Sequence, residues 1–256
     1  MNFHFTRVSR SEIQPALQQH VRTLSSPIDS FLEDHILTST HYQIRLDDTV
    51  IGWTSIHQGS LITQFGLLPQ YKRQGQPAFQ RVRKLETVQA AFVPTCDEFF
   101  LAHALDDYRQ LDRQAYFFQR DPQTPPYRSP LPLVHRQANI EDIPVIQSLS
   151  GDFFDRIEQR VQDGQLYMTH QNGNCVGFGI IDRSVLYDDV ASTGMYVVEF
   201  FRGIGVGTAI IAYLQDICIR QGLRPIAGCW HYNHLSKKTL EKAGMFSQTR
   251  LLKISY

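Results

Sequence analysis

Between residues 195 and 208 the chain reads Met-Tyr-Val-Val-Glu-Phe-Phe-Arg-Gly-Ile-Gly-Val-Gly-Thr, and the second half of this stretch has the make-up of an anion site. Arg202 brings a positive charge, and Gly203, Gly205 and Gly207 allow a ligand to approach the backbone closely. The residues that follow, Thr208 to Ile217, repeat apolar side chains at helical spacing. A helix opening there aims its first N–H groups and the positive end of its dipole at one spot. The natural guest is a diphosphate. A plain strand-to-helix joint and the phosphate loop of a dinucleotide-binding unit share this glycine pattern. Against the latter, no acidic residue follows a second strand at the expected distance of ~20 residues.

Other groupings of reactive residues are poorer. Cys229, His231 and His234 are metal-ligand types, but they straddle a strand end and a helix start and lack a fourth partner, so no metal is expected. No Gly-x-Ser-x-Gly nucleophile elbow occurs.

The elements around the glycine turn follow from periodicity. The stretch from Met195 begins as an apolar, β-branched run that reads as a buried strand. Upstream, Leu166–His170 and Cys175–Ile181 form a hairpin across Asn172-Gly173. Leu133–Arg136 is a strand, and Ile140–Leu149 and Phe153–Asp163 are helices. Downstream, Gly222 closes the long helix, Pro225–Trp230 is a strand, Asn233 caps a short helix through Ala243, and Phe246–Tyr256 is extended. In the first half, Phe3–Arg7 is a strand and Ile13, Leu17 and Val21 mark a helix. His41–Leu46 and Val50–Ile56 form a hairpin, and Ala78–Ala91 is a helix. Glu98–Ala102 reads as a strand and Tyr108–Phe118 as a polar helix.

Asp121 to Pro132 holds five prolines in twelve residues, which excludes a helix or a central strand and reads as a stiff linker. The pattern then restarts. Arg7, Gly52 and Gly75 reappear as Arg136, Gly177 and Gly205 at a nearly constant offset of about 130 residues, the signature of a duplicated domain. The expected division is 1–120, a linker over 121–132, and 133–256.

Composition narrows the class. Hydrophobic residues make up 42% of the 256, enough for two cores, and Lys+Arg and Asp+Glu are both 25. A formal charge of zero gives no general affinity for nucleic acid. No apolar run approaches the ~20 residues that span a bilayer. The N-terminus shows no apolar signal core, and four unpaired cysteines suit a reducing compartment, so a cytoplasmic location is expected.

The C-terminal half resembles the GNAT superfamily of N-acetyltransferases. Arg202, Gly205 and Gly207 fill the family's Arg/Gln-x-x-Gly-x-Gly/Ala signature, and Asn233, Ser236 and Gly244-Met245 fill a second one. The resemblance covers about 131–256, and the first half shares it loosely. It implies an α/β (mixed α+β) chain of two tandem GNAT-type folds, each a mostly antiparallel mixed sheet flanked by helices. It further implies acetyl-CoA as co-substrate, with Met195, Tyr196 and Val197 on the pantetheine arm. Arg202, Gly203, Ile204, Gly205, Val206, Gly207 and Thr208 would lie at the pyrophosphate, Asn233 on the pantetheine and Ser236 near the sulfur. Many relatives place a tyrosine acid four residues after the Ser236 position, where this chain has Leu240. Tyr232 is the nearest substitute, and Glu199, at the mouth of the turn, is the expected base. For both the alternative is an ordinary packing or surface residue. The implied reaction is acetyl transfer to a primary amine, of a small molecule or a peptide, by direct attack in a ternary complex. The rival is an acyl-CoA-binding sensor, motivated by Leu240. Oligomeric state stays open.

Aligned on Gly75, the first half sets Lys72 against Arg202, Arg73 against Gly203 and Pro77 against Gly207, with no counterpart of Asn233 and Ser236. It is expected to be a degenerate copy that binds no CoA.

Overall fold

The computed structural model describes residues 2–256, and it divides into two compact units. The first holds residues up to Phe117, together with Trp230–Tyr232 and Gln248–Tyr256. The second holds Phe118–Cys229 and Asn233–Ser247. This division differs from the expected one in three places, the first being that Trp230–Tyr232 fall in the first unit. The Pro-rich segment falls in the second unit, and the last nine residues of the chain fall in the first.

In the first unit, β1 (Phe3–Val8) leads into α1 (Arg10–Val21), opened by a reciprocal Ser9–Glu12 capping box. The apolar residues Ile13, Leu17 and Val21 recur every four positions and are buried. Next come α2 (Ser30–Leu37), β2 (Thr40–Leu46), β3 (Thr49–His57) and β4 (Leu61–Leu67). A 3₁₀ turn over Pro69–Gln74 precedes α3 (Gly75–Val82), followed by β5 (Ala90–Pro94), α4 (Glu98–Ala104) and β6 (Gln110–Arg120). β1 to β4 form an antiparallel meander, and β4 meets β5 in parallel at Leu61/Ala90 and Ile62/Ala91.

Three expectations in this half are corrected. Residues 98–102 are helical because Asp97 caps them, its carboxylate accepting from the Phe100 N–H at 3.1 Å, while Phe100 and Ala104 bury one face. Residues 110–120 are a strand, in which the aromatic run Tyr116-Phe-Phe118 outweighs the polar residues before it. The helix expected over 78–91 ends at Val82, and its apolar tail Ala90-Ala-Phe-Val93 is the buried strand β5.

In the second unit, β7 (Leu133–Gln137), α5 (Ile143–Ser150), α6 (Ile157–Gln162), β8 (Leu166–Gln171), β9 (Asn174–Arg183) and β10 (Val190–Val197) precede α7 (Val206–Arg220), β11 (Arg224–Trp230) and α8 (His234–Lys242). The helix expected over 153–163 is shorter because Arg156 takes a left-handed conformation, φ 47°, directly ahead of it. Asn172 and Gly173 turn the β8–β9 hairpin with φ of 50° and 81°. Arg136 clamps β7 to the start of the α5 region through two 2.6 Å bonds to Asp142, whose carboxyl the arginine holds below its usual range. β7 to β10 are antiparallel neighbours, and β10 meets β11 in parallel. The last strand, β12 (Met245–Ser255), pairs from Leu251 onward with β5 of the first unit's sheet. Each unit is thus a mostly antiparallel mixed sheet flanked by helices.

Candidate active site

Two strands part at the centre of the second unit. The β10–β11 pairing runs from Val190/Arg224 to Ser192/Ile226 and ends there, although β10 continues to Val197 and β11 to Trp230. Thr193 marks the fork by donating its hydroxyl to the Ile226 carbonyl at 2.9 Å. Beyond it, Gly194, Met195, Tyr196 and Val197 remain paired to β9 only, so the backbone groups on their other edge are open to a guest.

The chain leaves this edge through a 3₁₀ turn at Glu199–Phe201 and enters the glycine turn. Gly203 has φ 83° and Gly205 φ 105°, the left-handed region that glycine occupies at no steric cost. Gly205 is the N-cap of α7, so Val206, Gly207 and Thr208 are first-turn residues whose N–H groups have no partner inside the helix. A Cβ built on Gly203 would meet nothing within 4 Å, which leaves the cradle open on that side. Gly207 has a different reason for being glycine. A Cβ there would lie 3.0 Å from the Met195 sulfur, 3.2 Å from Thr239 and 3.3 Å from Val197, so β10, α7 and α8 close on one another at that point.

Arg202 is tied down: its Nε donates to the Val197 carbonyl at 3.0 Å, and its guanidinium lies 5.7 Å from the centre of the Tyr196 ring. Tyr196 is braced in turn by Phe153, ring centres 5.1 Å apart. The arginine therefore holds the turn against the strand end as well as carrying charge. Glu199 and Ile204 are exposed, as is Phe200, at 88%. Asn233 accepts from the Ser236 N–H at 3.0 Å and so caps α8; that bond uses its carbonyl oxygen and leaves its NH₂ for another acceptor. Leu240 is buried at 2% exposure and offers no donor.

The structure thus brings Met195, Tyr196, Val197, Arg202 and the turn through Thr208 together, with α8 packed against Gly207. Tyr232 is half-exposed and packs with first-unit residues, edge-on to His231 and Trp230 at 5.0 and 5.1 Å. Cys229, His231 and His234 form no ligand group, and among the described residues no cluster of three metal-ligating side chains occurs. No helix among them is long and apolar enough to cross a membrane.

The open β10 edge offers unpaired backbone N–H and C=O groups, and the positive-φ turn at a helix N-terminus offers donors suited to an anion. Sequence reasoning missed the strand fork, because pairing that stops halfway along two strands leaves no periodic signal.

Two family models match the chain. One, an acetyltransferase (GNAT) domain, covers residues 9–121, and the other, the acetyltransferase (GNAT) family, covers residues 133–245. Among solved structures, a GNAT-family acetyltransferase from Colwellia psychrerythraea superposes with a TM-score of 0.88 at 16% identity, covering 99% of each chain. A tandem GNAT protein from the clavulanic acid biosynthesis pathway gives 0.65 at 14%, covering 100% of this chain and 98% of its own. A GCN5-related N-acetyltransferase from Sphaerobacter thermophilus gives 0.65 at 12%, covering 99% and 95%. At such identities the likeness is one of fold. No protein of curated function matches.

Proposed function

This chain belongs to the GNAT acetyltransferase family, with two of its domains in tandem, and we propose that the C-terminal domain is an acetyl-CoA-dependent N-acetyltransferase acting on a primary amine of a small molecule or peptide. The observation that carries this reading is the pair of left-handed glycines, Gly203 and Gly205, joining an unpaired strand edge to a helix N-terminus.

When bound, acetyl-CoA supplies an activated thioester, and the residues around it have four tasks. The turn from Arg202 to Thr208 holds the diphosphate through backbone N–H groups. The edge of Met195–Val197 and the Asn233 NH₂ hold the pantetheine arm, with Ser236 near the sulfur. A backbone N–H of that edge polarises the thioester carbonyl, a task that fixed dipoles perform well away from water. Glu199 takes the proton from the amine, directly or through a water, and Tyr232 returns one to the departing thiolate. The amine attacks the thioester directly, in a ternary complex. The four free cysteines agree with a reducing, cytoplasmic setting.

The buried Leu240 favours a second reading, an acyl-CoA sensor with little turnover. Incubation with acetyl-CoA and a panel of primary amines separates the two. Release of free CoA dependent on one class of amine supports the transferase. Tight binding with no thiol released by any amine supports the sensor.

A further inference from the structure

The Pro-rich segment 121–132 lies on the second unit and is fixed at both ends. At one end the Asp121 N–H donates to the Gly244 carbonyl at 3.0 Å, and the Asp121 carboxylate accepts from the Gln123 N–H at 2.9 Å and the Thr124 hydroxyl at 2.7 Å. At the other, Leu131 packs against the core cluster that includes Val206, Ile210 and Leu214 of α7. Between these anchors Pro125, Pro126 and Tyr127 share a shallow pocket with Ala212, Gln215 and Asp216 of the same helix. The segment is a strap laid along α7.

The strap ends beside the glycine turn. A Cβ built on Gly205 would lie 3.6 Å from the Tyr127 hydroxyl and 4.0 Å from a Leu131 methyl, whereas one built on Gly203 meets nothing. The cradle therefore has an open side and a walled side, and the polar atom in the wall is the Tyr127 hydroxyl. That hydroxyl belongs to a half-buried residue and has no hydrogen-bond partner among the described residues. Prolines on either side restrict the backbone that carries it, so little conformational freedom is left to lose when a ligand arrives. An O–H held beside a set of anion-binding N–H groups is complementary to a phosphate oxygen, and bonds to charged acceptors are the stronger class.

We infer that the strap is part of the nucleotide end of the ligand site: the Tyr127 hydroxyl donates to a phosphate oxygen of the CoA diphosphate and completes the cradle on its walled side. This rests on the reading of the turn as a CoA site. Calorimetry on the full chain with CoA and with pantetheine, which lacks phosphates, tests it. Tyr127→Phe keeps the ring and removes only the donor, so its thermal midpoint should match the wild type. Its CoA affinity should fall by about 10–150-fold, the loss of one hydrogen bond to a charged group, while its pantetheine affinity stays the same. Equal CoA affinity in the two proteins overturns the inference and leaves the turn's assignment standing. An equal loss toward pantetheine and CoA also overturns it, because the phenol would then act on the arm or on packing. A wild-type protein that binds no CoA sinks both readings.

Discussion

The two halves keep the same strand fork and differ in the turn that follows it. In the first unit β4 and β5 pair at two positions and separate, as β10 and β11 do after three. There the resemblance stops. Gly75 has φ −56°, an ordinary right-handed value, and stands inside a helix that continues a 3₁₀ turn, whereas Gly203 and Gly205 are left-handed. The His103 ring fills the space over Gly75, with Phe99 edge-on to it at 4.7 Å, and Lys72 places its ammonium 5.5 Å from the centre of the Phe99 ring. Pro77 has no N–H to offer. A side chain covers the glycine of the turn in the first half, and open space lies over Gly203 in the second. Both halves carry the fork, and the dihedral angles of the turn after it differ.

The hardest test of that contrast is Gly205→Asp. An aspartate there must adopt a strained φ of 105° and puts a carboxylate among donors meant for phosphate. CoA affinity measured by calorimetry should drop by at least about a hundredfold, since like charges repel strongly at that range. The wild-type titration should saturate at one CoA per chain. A stoichiometry of two, with ligand beside Gly75, would erase the distinction between the halves.

A second difference concerns how a helix is capped. In the first unit Asp29 caps α2, accepting from the Leu32 N–H at 3.0 Å, and burial pushes its carboxyl up to about 7 from 3.8. The second unit's α6 follows Arg156, which gives it no side-chain cap. A carboxyl whose folded pKa exceeds its unfolded one contributes stability below pH ~4 that is lost as pH rises through ~7. His41 and His103, lowered by burial, act in the opposite sense. The difference between wild type and Asp29→Asn isolates the acid, because asparagine keeps the cap and cannot ionise. The variant should gain a few kcal/mol at pH 7.5, roughly the order such a shift implies, and nothing at pH 4. Parallel melts across that range would refute the assignment.

How far the sequence could be read follows the same physics. The C-terminal turn was legible because glycine is required where φ is positive, and glycine is visible as a letter. The tandem repeat was legible through Gly52 and Gly177, where a Cβ would lie 2.2 and 2.7 Å from a carbonyl of the neighbouring strand. The helix at Glu98 was missed although its cap, Asp97, is equally visible; its short apolar run fits a strand as well as a helix. Tyr127 was missed because proline density describes stiffness and says nothing of what the stiff segment lies against.

Glu199→Gln tests the chemistry at a position where the halves differ, since the 3₁₀ turn ahead of the glycine opens with Glu199 in one and with Pro69 in the other. Steady-state rates should show kcat lowered by about 10–100-fold with CoA affinity unchanged, at the modest end for an exposed base. An unaltered pH–rate profile would make Glu199 a surface carboxylate.

The smallest expected effect comes from Gly75→Ala, the counterpart of the Gly205 substitution. Gly75 is already helical, so alanine gains roughly 1 kcal/mol of helix propensity. Against this, its methyl would sit 2.1 Å from the His103 ring nitrogen. That ring cannot retreat cheaply, because Phe99 and Phe65 meet it edge-on at 4.7 and 5.9 Å. Overpacking of this kind costs about 1–3 kcal/mol, so the net change is a loss of about 1 kcal/mol, seen as a lower denaturation midpoint. CoA affinity should not move at all. In a His103→Ala background the clash is gone while the propensity remains, and Gly75→Ala should then be stabilising; the change of sign is the interaction between the two sites. If instead Gly75→Ala weakened CoA binding, the first half's turn would be holding the ligand after all, and the side chains that fill it would have to move aside to admit it.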